Sequence, residues 1–62
     1  MVKDSTGTVL EVSDIVAVPV QGVDGVYFVT TGRIEMIYEN NLIQVNVGKL
    51  MDINPNLVLY IA

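Results

Sequence analysis

Apolar and polar positions along this chain recur with a period near two, and turn-forming residues interrupt the pattern every few positions. Val9 to Val12 reads as a short extended run, and Ser13-Asp14 as a turn. Ile15 to Val20 is dominated by β-branched side chains and reads as a strand, with Pro19 near its end where a missing N–H must face an edge or a bulge. Gly22 and Asp24-Gly25 mark a loop from Gln21 to Gly25. Val26 to Thr31 is extended again, and Gly32 permits a bend or bulge before the chain continues. Gly48-Lys49 is another turn, Asn54-Pro55-Asn56 a breaker or single 3₁₀ turn, and Leu57 to Ile61 a last strand.

The stretch around Asn40-Asn41 carries the most information. Asn tolerates the positive φ that a two-residue type I′ turn needs at both central positions. Such a turn pairs Tyr38 with Ile43, Met36 with Val45 and Ile34 with Val47, which places six apolar residues on one face. The other face pairs Glu39 with Leu42, Ile37 with Gln44 and Glu35 with Asn46. A slip of one residue would scramble that segregation. The resulting strands lie near residues 9–12, 14–20, 26–38, 42–47, 50–53 and 57–61. The first eight residues, mostly polar, form a loose arm or a short edge strand.

No apolar stripe of period 3.6 is sustained, so the fold class is all-β. Composition agrees: of 62 residues, 12 Val, 6 Ile and 4 Thr make a β-branched set suited to a pleated surface. The length allows one domain, residues 1–62. Five or six short antiparallel strands in so few residues favour a small closed barrel, because closure removes exposed edges.

Some of these residues resemble a known family. Val12-Ser13-Asp14-Ile15-Val16-Ala17-Val18 resembles the opening strand of Src-homology-3-like (SH3-like) barrels of the KOW type, where a G-D-x-V-x-V pattern is common. Gly32-Arg33-Ile34 is similar to the G-x-V of that family's second strand, and the hairpin ending in Val45-Asn46-Val47 follows. Asn54-Pro55-Asn56 stands where these barrels place a 3₁₀ turn. The resemblance implies a five- or six-stranded antiparallel SH3-like barrel. Ser13 replaces the family's Gly, the segment from Gln21 to Thr31 is longer, and the basic residues with which that family contacts RNA are almost absent. Tyr27, Phe28, Tyr38 and Tyr60 do not reproduce the aromatic spacing of the peptide-binding Src-homology-3 domains.

Charge and missing residue types exclude more than they indicate. Three cations, Lys3, Arg33 and Lys49, stand against seven acids, for a net charge of −4. That balance disfavours a nucleic-acid partner, whose affinity rests on phosphate neutralisation. With no His and no Cys, the commonest general base, the commonest transition-metal ligand, a thiolate zinc site and any disulfide are missing. Asp14, Asp24, Asp52 and Glu11 lack the spacing of a calcium loop and sit beside turns, where Asp satisfies local N–H groups. Glu35 and Glu39 read as solvated. Arg33 reads as a strand residue pairing an acid or covering apolar surface. No Gly-rich phosphate loop is present. The expectation is therefore no enzyme, no cofactor, no metal and no catalytic residue. The longest apolar run, Leu57 to Ala62, is far below the roughly 18 residues that span a bilayer, so the chain reads as soluble and cytoplasmic.

What remains is an apolar surplus. With the hairpin register above, Ile37 and Leu42 point outward, and so do Ile15 and Ala17 if Val16 and Val18 point in. The last strand is apolar on both faces, which calls for cover on both. Taking its outward set as Val58 and Tyr60, the expected partner-covered residues are Val58 and Tyr60, then Ile37 and Leu42. A core this small supplies only about 3–5 kcal/mol, which favours a homo-oligomer, most simply a dimer, or docking on a larger protein. The first functional expectation is a non-catalytic interaction or assembly module, of the kind found among small viral (phage) accessory proteins. A KOW-like module at the ribosome or transcription machinery comes second, and a small-ligand-binding barrel third.

Overall fold

The computed structural model describes residues 1–62 as an all-β chain. Five strands, β1 (Ile15–Gln21), β2 (Tyr27–Ile37), β3 (Ile43–Asn46), β4 (Leu50–Ile53) and β5 (Leu59–Tyr60), form one antiparallel sheet in the order β4-β3-β2-β1-β5. A single 3₁₀ turn, Pro55–Leu57, precedes β5, as the Asn-Pro-Asn breaker predicts. The Asn54 side chain accepts from the N–H of Asn56 and Pro55 stands at the first position, where its lost donor costs nothing. No helix is long and apolar enough to cross a membrane.

The core follows from period-two alternation. Val16 and Val18 of β1 point inward, as read from sequence, and meet Ile34, Ile43, Val45, Ile53 and Val58. The long strand β2 is shared: residues 27–33 pair with β1, while 33–37 pair with β3. Gly32 sits at this changeover. A Cβ there would lie 2.5 Å from Val45 Cγ1, 2.7 Å from Val47 Cγ1 and 2.9 Å from the Asn46 carbonyl oxygen. The sheet can fold over itself here only because this position has no side chain.

The hairpin lies where predicted, but its turn differs. Asn41 N donates to Tyr38 O at 3.0 Å, and Tyr38 N to Leu42 O at 2.9 Å. Only Asn41, with φ 70°, takes the left-handed conformation that type I′ requires at two positions. The loop therefore has three residues, and the register moves by one. Ile37 thereby pairs with Ile43, and a bulge between Ile34 and Met36 moves the register again, so that Ile34 pairs with Val45. Ile34, Ile43 and Val45 still face the core. Met36, expected inside, is 48% exposed, and Ile37, expected outside, packs half-buried against the core.

Two further expectations are corrected at the N-terminal end. Residues 9–12 form no strand: Val9 only bridges Lys3, and Glu11 to Asp14 turn the chain. Ser13 at φ 80° and the Asp14 carboxylate, which accepts from Glu11 N at 2.8 Å, hold that turn. Nor are the first eight residues loose. Val2 and Leu10 enter the core, and Leu10 N donates to Val2 O at 2.9 Å.

Candidate functional site

Asp4 is the anchor of this N-terminal segment, and it is 4% exposed. One carboxylate oxygen accepts from Thr6 N (2.9 Å), Thr6 Oγ1 (2.8 Å) and Thr8 N (2.8 Å), closing a tight local loop. The other accepts from Tyr60 N at 2.8 Å. Ser5 N also donates to Val58 O at 3.0 Å. The outer edge of β5 is thus covered by the chain's own beginning. Hydrogen bonding from the Tyr60 N–H, and then from Thr6 and Thr8, holds the carboxyl at about 2, below the usual carboxylate range, against the opposing effect of burial.

This arrangement changes which residues are free for a partner. Val58 is 1% exposed and belongs to the core, so it is withdrawn from the partner-covered set. The reason is register: Val16 pairs with Tyr60 and Ala17 with Leu59, so 58 and 60 share the inward face of Val16. Tyr60 lies at the rim of that face, still partly exposed. Ile37 and Leu42 are half-buried, Ile37 against the core. These four residues do not form one patch. The last strand exposes Leu59 and Ile61 instead, together with Leu57 of the 3₁₀ turn.

The larger exposed surface comes from a part of the molecule that the sequence reading treated as ordinary strand. β5 pairs with β1 only at Val16 and Ala17, and β3 reaches β2 only from Arg33 onward. Beyond these points Val18–Gln21 and Tyr27–Thr30 continue as a two-stranded arm with no neighbour on either edge. The molecule as a whole is elongated, 35 × 20 × 20 Å. The arm's tip is locally held: Gly22 N donates to Val26 O, Gln21 Nε2 to Gly25 O and Val26 N to Asp24 Oδ1, with Gly25 at φ 83°. Large apolar residues are exposed on both faces: Tyr27 (67%) and Val29 (72%) on one, Val26 and Phe28 on the other, with Val23 at the tip. Only the base of the arm's inner face is covered, where Val18 is buried and Val20 packs against the core, and a two-stranded ribbon with little more cover than that is marginal in water. The four consecutive apolar residues Val26-Tyr27-Phe28-Val29 carried the same two-faced signal that singled out the last strand.

On the inner side, Val20, Phe28 and Thr30 of the arm and Val47, Gly48 and Lys49 of the β3–β4 turn bound an open groove of about 780 Å³. Its ionisable side chains are Asp24 and Lys49, each a single group without a catalytic partner. Elsewhere the carboxylates are dispersed: Asp14 and Asp24 serve their own turns, and Asp52 accepts from the Tyr38 hydroxyl at 2.9 Å. That bond, with burial, raises the Tyr38 hydroxyl above its ordinary value, while Gln44 Nε2 donates to the same oxygen at 3.0 Å. No three acids converge as a metal site would need. Arg33 pairs with Glu35 on its own strand at 2.8 Å, which holds its guanidinium charged. No family model, curated protein or solved structure matches this chain.

Proposed function

We propose that the chain is a non-catalytic protein-interaction or assembly module on an SH3-like barrel. The strand order β4-β3-β2-β1-β5, with a 3₁₀ turn directly before β5, supports the barrel reading. The observation that carries the functional reading is the projecting arm, with exposed large apolar side chains on both faces and no strand on either edge. Contiguous exposed apolar surface of this kind marks contact with another protein. The charge pattern favours a protein over a nucleic acid: the three cations, Lys3, Arg33 and Lys49, form no patch, and Arg33 is already paired.

The test is affinity capture from the source cell with the parent chain and with a Tyr27→Ser/Val29→Ser variant whose circular-dichroism spectrum matches the parent. Proteins held by the parent, further copies of the chain included, should be lost from the variant. Recovery of the same set by both would overturn the reading.

A further inference from the structure

The outer face of the β2–β1–β5 sheet is the side opposite Val16 and Val18. In β1 it carries Ile15, Ala17 and Pro19, and in β2 Tyr27, Val29 and Thr31, because directly paired residues share a face. Leu59, opposite Ala17, adds to it from β5. Ile61 lies beside it, its N–H donating to Ile15 O at 2.9 Å. Arg33, paired with Ile15, and Gln21, paired with Tyr27, complete the face at its two ends, and no carboxylate lies between them. The face therefore runs from the arm onto the body without interruption. Its charged border is Arg33 with Glu35, a pair neutral in itself.

We propose that a second copy of this chain packs on this face about a two-fold axis, with the two arms antiparallel. The proposal rests on the interaction-module reading and names its partner. Two observations favour a second copy. The first is area. The exposed parts of Tyr27, Val29, Leu59 and Ile61 offer about 400 Å² of mostly apolar surface, within the range of the largest patch on ordinary monomers. With their less exposed neighbours they approach the ~800 Å² per partner of a standard interface. The second is charge. Two chains of net charge −4 repel, and this face lets them meet without opposing carboxylates. A two-fold axis passing near Thr30 sets Tyr27 of one copy beside Arg33 of the other. The phenol ring of each then meets the other's guanidinium, a favourable cation–π arrangement, at both ends of an apolar centre formed by Val29 and Pro19.

The chain has no cysteine, so a single introduced thiol reports on geometry without interference. The experiment is sedimentation equilibrium at tens of micromolar on the parent, Val29→Asp and Met36→Asp, with mild oxidation of Val29→Cys. Met36 is exposed on a strand segment remote from the arm and serves as the control. The parent and Met36→Asp should sediment as dimers. Val29→Asp should weaken association ~30-fold or more while keeping the parent's circular-dichroism spectrum, and Val29→Cys should form a covalent dimer. A monomeric parent overturns the dimer, and if that monomer still captures other proteins through Tyr27 and Val29 the functional reading survives it. A dimer indifferent to Val29→Asp and silent on Val29→Cys oxidation overturns the assigned face. Should Val29→Asp fail to fold, the Val29→Cys result decides.

Discussion

The carboxylate of Asp4 accepts the backbone N–H of Tyr60 at 2.8 Å, joining two residues 56 positions apart. The N-terminal segment is thereby fastened to the last strand, at an edge that would otherwise present a bare donor to a passing chain. An ionised side chain at a sheet edge also discourages further strand pairing.

This bond predicts an acid limb of stability. The folded-state value of Asp4 lies at about 2, below the ordinary carboxylate range near 3.8, so folding favours the ionised form. Its contribution is full above the unfolded value and is lost as the pH falls from about 4 toward about 2. Asp4→Asn keeps the shape but replaces one accepting oxygen with a donor. The variant should melt below the parent at neutral pH, and the gap should narrow as the pH falls through that window. Thermal melts of both proteins across the range check this, and a gap independent of pH would contradict it.

Gly32→Ala should destabilise the fold by about 1–3 kcal/mol, since the added methyl meets Val45, Val47 and the Asn46 carbonyl at once. Part of the loss should return in the Gly32→Ala/Val47→Ala double variant, because the contacts are shared. Urea titration of the four members of this cycle gives the coupling directly.

The two-step register of the β2–β3 hairpin is open to a pair of truncations. Ile34 is fully buried, so Ile34→Ala should cost about 2–5 kcal/mol, whereas Met36→Ala should change stability by less than about 0.5 kcal/mol. A two-residue turn at Asn40-Asn41 would make both large. Denaturation midpoints of the two variants distinguish the registers.

Strand β5 offers a similar contrast. Val58→Asp places a carboxylate among Val16, Val18 and Ile34 and should abolish folding. Leu59→Asp, one residue on, points away from the core and should leave the circular-dichroism spectrum unchanged. The opposite outcome would restore the strand phase read from the sequence.

Much of the architecture was legible before any coordinates. Turn residues located the hairpin at Asn40-Asn41 and the 3₁₀ turn at Pro55, because Asn tolerates positive φ and Pro fixes its own φ whatever surrounds them. The resemblance to the barrel's opening strand placed Val16 and Val18 inside, and they are buried; alternation alone could not choose, because Ile15, Ala17 and Pro19 on the other phase are apolar too. The arm was not visible as an arm. Whether Tyr27 and Val29 gain a neighbour depends on where β3 and β5 stop pairing, and those ends are set by the bend at Gly32 and by the chain's return through Pro55.

What the sequence by itself determined, then, is the set of strands and turns, each specified by residues within a few positions of one another. Tertiary structure decided which face of each strand is inside and what covers its edges. A strand apolar on alternate positions of both phases, as in Leu57 to Ile61, has no intrinsic inward side; pairing of Val16 with Tyr60 chose Val58. A polar segment such as Met1 to Thr8 carries no burial signal of its own. It is ordered because Asp4 accepts from Tyr60 and Val2 enters the core, contacts made with residues far away in sequence.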